Sequence, residues 1–158
     1  MTYAALVITV STRASAGVYE DRSGPIIASA LGDLDFEVDG PLVVPDGDEV
    51  GQALRDAVAQ GYAVIITSGG TGLNPHDHTP EQTRGVLELE IPQLPTAVAQ
   101  YGVQHGVPTA LLSRGVAGVA GQSLIVNLPG SSGAARDGMA VLGPLLAHAV
   151  SQIRGGDH

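Results

Sequence analysis

The chain contains no cysteine, no tryptophan, no lysine and a single phenylalanine, Phe36. Each absence closes a class of function. Without cysteine there is no disulfide, no thiolate nucleophile and no cysteine-ligated cluster, a usage that fits a reducing cytoplasm. Without tryptophan the core has to be aliphatic, drawn from Ala, Val, Leu and Ile within a hydrophobic fraction of 44%. Without lysine every mechanism that uses a lysine is excluded. The seven basic residues are arginines and the net charge is −9. That is a poor footprint for nucleic acid, whose backbone demands clustered cations. An anionic ligand would have to be met by Arg, a metal ion or backbone N–H. No apolar run approaches the roughly 20 residues of a membrane span. Met1-Thr2-Tyr3 offers no basic start for a leader peptide. A cytoplasmic protein without membrane or nucleic-acid partners is the expectation.

What is present reads as one domain over residues 1–158, with no repeat, low-complexity tract or linker. Residues 4–11 form a continuous apolar, β-branched strand. Ser23-Gly24-Pro25 opens a helix to about Leu34, and residues 36–44 read as a second strand. Asp46 is placed to cap the next helix, with Glu49 completing a capping box and Gly61 ending it. Residues 62–67 are a further buried strand. Thr79 is placed to cap a third helix, with Pro80 at its first position and Gln82 as box partner. Pro92 and Pro95 begin a helix to about His105. Residues 123–128 are a late strand, and Met139, Leu142, Leu146 and Val150 mark a C-terminal helix. Strands alternating with helices predict an α/β fold whose mostly parallel sheet is covered on both faces. Ligands of such sheets bind beyond the carboxyl ends of the strands. Ser11-Thr12-Arg13 and residues 68–72 and 129–131 all fall there.

Ser68-Gly69-Gly70-Thr71-Gly72 allows close approach of backbone to a ligand and can form an anion-binding nest. It is equally a plain tight turn, and it matches neither the P-loop nor the dinucleotide-binding spacing. Asp77 and Glu81 sit at one helix start, Asp46 and Asp48 at another. They are either ordinary helix-start acids or ligands of a Mg²⁺ ion shared with substrate phosphates. His76-Asp77-His78 resembles a metal triplet, but neighbouring loop residues chelate one ion poorly. Arg114, in Leu112-Ser113-Arg114, is either a bidentate phosphate contact or a surface ion pair.

Taken together, these stretches resemble the signature of the MogA/MoaB molybdopterin-binding family. The stretches are residues 67–72 followed by Asp77 and Thr79-Pro80-Glu81, Val44-Pro45-Asp46, Leu112-Ser113-Arg114 with Gly118, and Val126-Asn127-Leu128-Pro129-Gly130-Ser131. The resemblance runs from Val7 to about His148. It implies a three-layer αβα sandwich, a homotrimer, and transfer of AMP from ATP to the terminal phosphate of molybdopterin. It implies Mg²⁺ as cofactor, a molybdenum-insertion protein as a further partner, and Asp46 and Asp77 as the essential acids and metal ligands. Ser11, residues 68–72, Glu81, Ser113, Arg114, Asn127, Pro129, Gly130 and Ser131 match its substrate and nucleotide contacts. A non-catalytic molybdopterin carrier of the same fold is the other reading. Many relatives carry Lys shortly after Pro-Gly-Ser. Here Ser132-Gly133-Ala134 stand in that stretch, so either a phosphate contact is missing or Arg136 replaces it.

Overall fold

Successive side chains of a strand point to opposite faces, so a sheet buried on both faces splits each strand between two apolar layers. The computed structural model describes residues 2–156; Met1, read above for a leader, lies outside them. In β1 (Ala4–Val10), Ala5 and Val7 enter one layer and Leu6, Ile8 and Val10 the other. β3 (Val64–Ser68) divides Val64 and Ile66 from Ile65. β6 (Ser123–Leu128) divides Leu124, Val126 and Leu128 from Ile125. The first layer is closed by α2 (Ser23–Asp33), α5 (Gln93–Gln104) and α6 (Ser132–Ile153), through Ile27, Leu31, Val98, Leu142 and Leu146. The second is closed by α3 (Asp48–Ala59), through Val50, Leu54 and Ala57. The expected αβα sandwich follows from this division.

The sheet has six strands, ordered β2-β1-β3-β6-β5-β4, with β2 at Glu37–Val44, β4 at Leu89–Glu90 and β5 at Ala117–Ala120. The four strands from β2 to β6 run parallel, while β5 is antiparallel to β6 and β4 to β5. The chain leaves β1 for β2 on one side and takes β3 on the other. The carboxyl ends of β1 and β3 therefore flank a topological switch point.

The caps differ from the expected ones. α3 begins at Asp48 behind Gly47 (φ 117°), and no side chain caps it, so the Asp46–Glu49 box does not form. Asp46 turns instead toward the loop after β3, where its Oδ1 accepts the His78 N–H at 3.0 Å. α4 (Thr79–Arg84) begins behind His78, not Thr79. The Thr79 N–H donates to Gly70 O at 3.1 Å, which draws that residue beneath the glycine loop. Gln82 reaches Asp48 Oδ1 at 3.4 Å rather than closing a box. α2 gains a cap that its opening triplet does not contain: Asp21 Oδ1 accepts the Gly24 N–H at 3.0 Å. Among the described residues no helix is long and apolar enough to cross a membrane.

Leu142 is fully buried under the first layer. Leu142→Ala should lower unfolding free energy by about 2–5 kcal/mol, read as a lower urea midpoint at unchanged slope. A loss below about 1 kcal/mol would mean that this layer relaxes around the cavity and does not depend on α6 packing.

Candidate functional site

Three strand ends converge at the switch point because glycine lets them. Gly69 has φ 103°, and a Cβ there would fall 2.3 Å from Val10 O. A Cβ on Gly130 would lie 3.2 Å from Gly69 Cα, so the loop after β6 rests on the loop after β3. Gly70 (φ 69°) is roofed by acid and hydroxyl. A Cβ there would meet Thr79 Oγ1 at 2.2 Å and Asp46 Oδ2 at 2.5 Å. The glycines bring Asp46 over the loop.

Two adjoining cavities open at this junction. The first, about 710 Å³, runs past residues 68–72 to α5 and the start of α6. The second, about 900 Å³, is lined by Asp46, Asp48, His76, His78 and Arg13 among others. Val10, Ser11, Gly70 and Asp77 belong to both linings and form the shared wall. Two ligands, one in each cavity, would touch at Gly70 and Asp77.

Asp46 is half-buried, and burial pushes its carboxyl above the usual carboxylate value. The His78 and Gly47 N–H groups and the His78 charge pull it back in part, while Asp77 adds to the rise. Asp77 Oδ2 accepts the Asn74 N–H at 3.2 Å. Among the described residues no three of His, Asp and Glu converge on a common point, so His76-Asp77-His78 does not make a metal centre by itself.

Several residues expected to touch ligand are committed to the protein. Arg114 donates from Nε to Gly72 O at 2.9 Å, from Nη2 to Asp77 O at 3.0 Å and from Nη1 to Glu81 at 2.9 and 3.0 Å. Neither Arg114 nor Glu81 lines either cavity. The pair braces residues 72–81 from behind, the ion-pair alternative of the two readings. Arg136 is exposed and also lies outside both linings. Ser68 lines the first cavity, but its hydroxyl is buried, donating to Ser23 Oγ at 2.7 Å and lying 3.3 Å from Pro129 O. Asn127 donates to Thr67 and Thr83 hydroxyls at 2.9 and 3.0 Å and accepts the Val116 N–H at 3.1 Å. Ser11 and Ser131 cap α1 (Thr12–Ser15) and α6, accepting the Ala14 and Ala134 N–H groups at 3.1 and 3.0 Å. Ser113 Oγ lies 3.2 Å from Thr71 Oγ1. Gly72, Pro129 and Gly130 sit in the first lining as expected.

Sequence reasoning missed one wall and one rim. The wall is α5 with the 3₁₀ turn Pro108–Leu112, which contributes Val98, Gly102 and Ala110. The rim is Tyr19, whose ring lies 5.3 Å below the Arg13 guanidinium. The i, i+3, i+4, i+7 spacing of Pro95, Val98, Ala99 and Gly102 is the signal that would have found the wall.

The brace has a pH signature. Desolvation raises the Glu81 carboxyl, but the Arg114 hydrogen bond and charge outweigh it and hold the group below its usual 4.5. A carboxylate depressed on folding contributes stability above its unfolded pKa, and that contribution is lost as pH falls through the folded value. Arg114→Met should therefore lower stability at neutral pH, and the gap to wild type should narrow below pH 4.5. It should not vanish, because the bonds to Gly72 O and Asp77 O do not titrate. Denaturation curves across that range read the gap; one constant with pH would sever Glu81 from the brace.

This geometry has counterparts. The chain matches the family described as a probable molybdopterin binding domain over residues 6–148. The molybdenum cofactor biosynthesis bifunctional protein of Synechococcus elongatus is 41% identical over 155 residues, 98% of this chain and 48% of that protein. The chain thus spans about half of that relative's length. The molybdopterin adenylyltransferase of Helicobacter pylori J99 is 34% identical over 155 residues, 94% of this chain and 86% of that enzyme. The solved structure of the molybdopterin biosynthesis Mog protein from Mycobacterium ulcerans overlays with a TM-score of 0.90 at 52% identity, covering 96% of this chain and 99% of that one. The match covers all three strand-end loops and both acids, and the chain belongs to the molybdopterin-binding domain family.

Proposed function

We propose that the chain acts in molybdenum cofactor biosynthesis as a molybdopterin adenylyltransferase, joining AMP from ATP to the terminal phosphate of molybdopterin. The observation that carries this reading is the shared wall: two cavities meet at Ser11, Gly70 and Asp77, with Asp46 over Gly70. A phosphoryl-transfer site between two bound substrates needs that juxtaposition. A carrier of one ligand needs a single cavity and no second acid.

In this reading an oxygen of the molybdopterin phosphate attacks the α-phosphorus of ATP. The bond from that phosphorus to the bridging oxygen breaks, and pyrophosphate leaves with the electron pair. The attacking phosphate is already ionised, so no general base is required and catalysis reduces to positioning and charge neutralisation. The loops do the positioning. The Gly69 N–H is spent on Leu128 O at 2.9 Å, so an anion here draws on the N–H groups that follow. The start of the 22-residue α6 lines the first cavity, and behind the Ser131 cap, which takes the Ala134 N–H, the Ser132 and Gly133 N–H groups are left for an anion.

The donor set fits Mg²⁺. Two carboxylates, with no third acid converging on them among the described residues, suit an ion that keeps waters and takes substrate phosphate oxygens. Asp46 and Asp77 would hold it, and bound there it would neutralise charge on the phosphates. The raised Asp46 carboxyl fits the same role, since burial without a cation disfavours its ionised form.

Pyrophosphate release should require ATP, molybdopterin and Mg²⁺ together, and a chelator should abolish it. Asp46→Asn and Asp77→Asn should each lower turnover by about a hundredfold or more, with stability changed by about 1 kcal/mol or less. Release from ATP alone would make the chain a hydrolase; near wild-type turnover in either variant at saturating Mg²⁺ would refute the assignment.

We further propose, on the family resemblance, that the chain works as a homotrimer in the cytoplasm and hands its product to a molybdenum-insertion protein. Light scattering at micromolar concentration should read three copies, and a stable monomer would overturn the trimer.

A further inference from the structure

Four carboxylates line the first cavity: Glu20, Asp21, Asp77 and Asp137. Three are answered by the chain itself. Glu20 lies 3.8 Å from Arg22 Nε; Asp21 takes the Thr9 hydroxyl at 2.8 Å and the Gly24 N–H at 3.0 Å; Asp77 takes the Asn74 N–H at 3.2 Å. Asp137, half-buried on the second turn of α6, has no hydrogen-bond or ion-pair partner among the described residues.

Its surroundings are largely apolar. Pro95, Val98, Ala99 and Gly102 present one face of α5 to the cavity, and Val107 and Ala110 continue the apolar wall. A Cβ on Gly102 would fall 2.8 Å from Ala110 Cβ and 3.9 Å from Asp137 Oδ2, so glycine, alanine and carboxylate meet at one point of that wall. A carboxylate facing an apolar wall without a cation favours a ligand that brings hydrogen-bond donors. A wall of this kind favours a flat ring.

We infer that Asp137 reads the pyrimidine edge of the pterin ring, an inference that rests on the molybdopterin reading above. The 2-amino-4-oxo edge presents two parallel donors, the N3–H and one 2-amino N–H, to the two carboxylate oxygens. Adenine presents one amino donor beside a ring-nitrogen acceptor, which the carboxylate repels. The same side chain thus admits the pterin to this end of the cavity and turns the adenine of ATP away. Asp137 lies six residues along α6 from the Ser131 cap, about 9 Å at 1.5 Å per residue. That separation is of the order of the distance from a pterin's pyrimidine edge to the phosphate of its side chain, so ring and phosphate are read from one helix.

The test is a specificity switch in the full chain. Wild type and Asp137→Asn are titrated with 6-carboxypterin and 6-carboxylumazine into the millimolar range by fluorescence, and with Mg²⁺–ATP by calorimetry. Lumazine has a carbonyl where pterin has the 2-amino group, so it matches an amide, which offers one acceptor and one donor. Wild type should prefer the pterin. The variant should lose roughly tenfold to a hundredfold in pterin affinity and prefer the lumazine. Its ATP affinity should not fall, and its melting temperature should stay at the wild-type value, which shows the variant folded. An unchanged pterin-to-lumazine ratio in the folded variant would overturn the role of Asp137 alone. Wild type that binds ATP but neither ring compound would overturn the molybdopterin reading and this inference with it.

Discussion

The ends of β1, β3 and β6 meet because no side chain at Gly69 keeps them apart. A Cβ at that position would sit 2.3 Å from Val10 O, well inside van der Waals contact, and the positive φ excludes most other residues on its own account. The rest of the site follows from that approach. Gly130 packs on Gly69 Cα, which sets the start of α6 beside the loop after β3. Thr79 and Asp46 close over Gly70, which brings the acid that follows β2 across β1 to the loop after β3. Strands that lie apart in the chain thereby contribute to one wall.

Behind the wall a buried polar seam fixes the loops. Ser68 joins Ser23 and Pro129, and Asn127 joins Thr67, Thr83 and Val116. Thr83 in turn donates to Thr79 O at 2.7 Å. Such groups hold geometry only when satisfied, since a buried polar atom left alone costs about 1–3 kcal/mol. The Thr79 hydroxyl is buried without a partner, and a Cβ on Gly70 would meet both it and the Asp46 carboxylate. The one unsatisfied hydroxyl of this seam therefore borders the acid whose ionised form burial disfavours.

The sheet was legible because its central strands are unbroken apolar runs, and the loops were legible because glycine, proline and acids cluster at strand ends. β5 was not legible, because Ala117-Gly118-Val119-Ala120 reads as a small-residue loop. The glycine that hides the strand is also required by it, since a Cβ on Gly118 would fall 2.0 Å from Leu89 O of the neighbouring strand. The two capping boxes failed for a shared reason. Asp46 and Thr79 are good caps locally, and both are drawn to Gly70 by tertiary contact. Arg114, Ser68 and Asn127 were recognised as residues of the site, but side-chain direction is not written in a motif. The structure turns Arg114 behind the loop and Ser68 and Asn127 into the seam. Asp137 and Tyr19 went unread because a lone acid on a helix and a lone loop aromatic carry no pattern.

Charge explains why so acidic a chain can serve phosphorylated ligands. Of its seven arginines, only Arg13 and Arg22 line either cavity. Arg22 is beside Glu20, and Arg13 lies over the Tyr19 ring. Arg114 is spent on the brace and Arg84 pairs with Glu90 at 3.3 Å. With a net charge of −9, the long-range field repels a bare phosphate. Attraction is left to short-range N–H groups at the glycine loop and the start of α6, and to whatever cation arrives with the ligand. A site built this way discriminates by charge state. On the proposed reading, an anion carrying its own divalent ion would find two carboxylates to bind that ion, whereas the same anion without it would have the N–H groups alone to set against the repulsion. The absence of lysine, which at first excludes so much, would thereby make recognition conditional on the metal–phosphate pair proposed above.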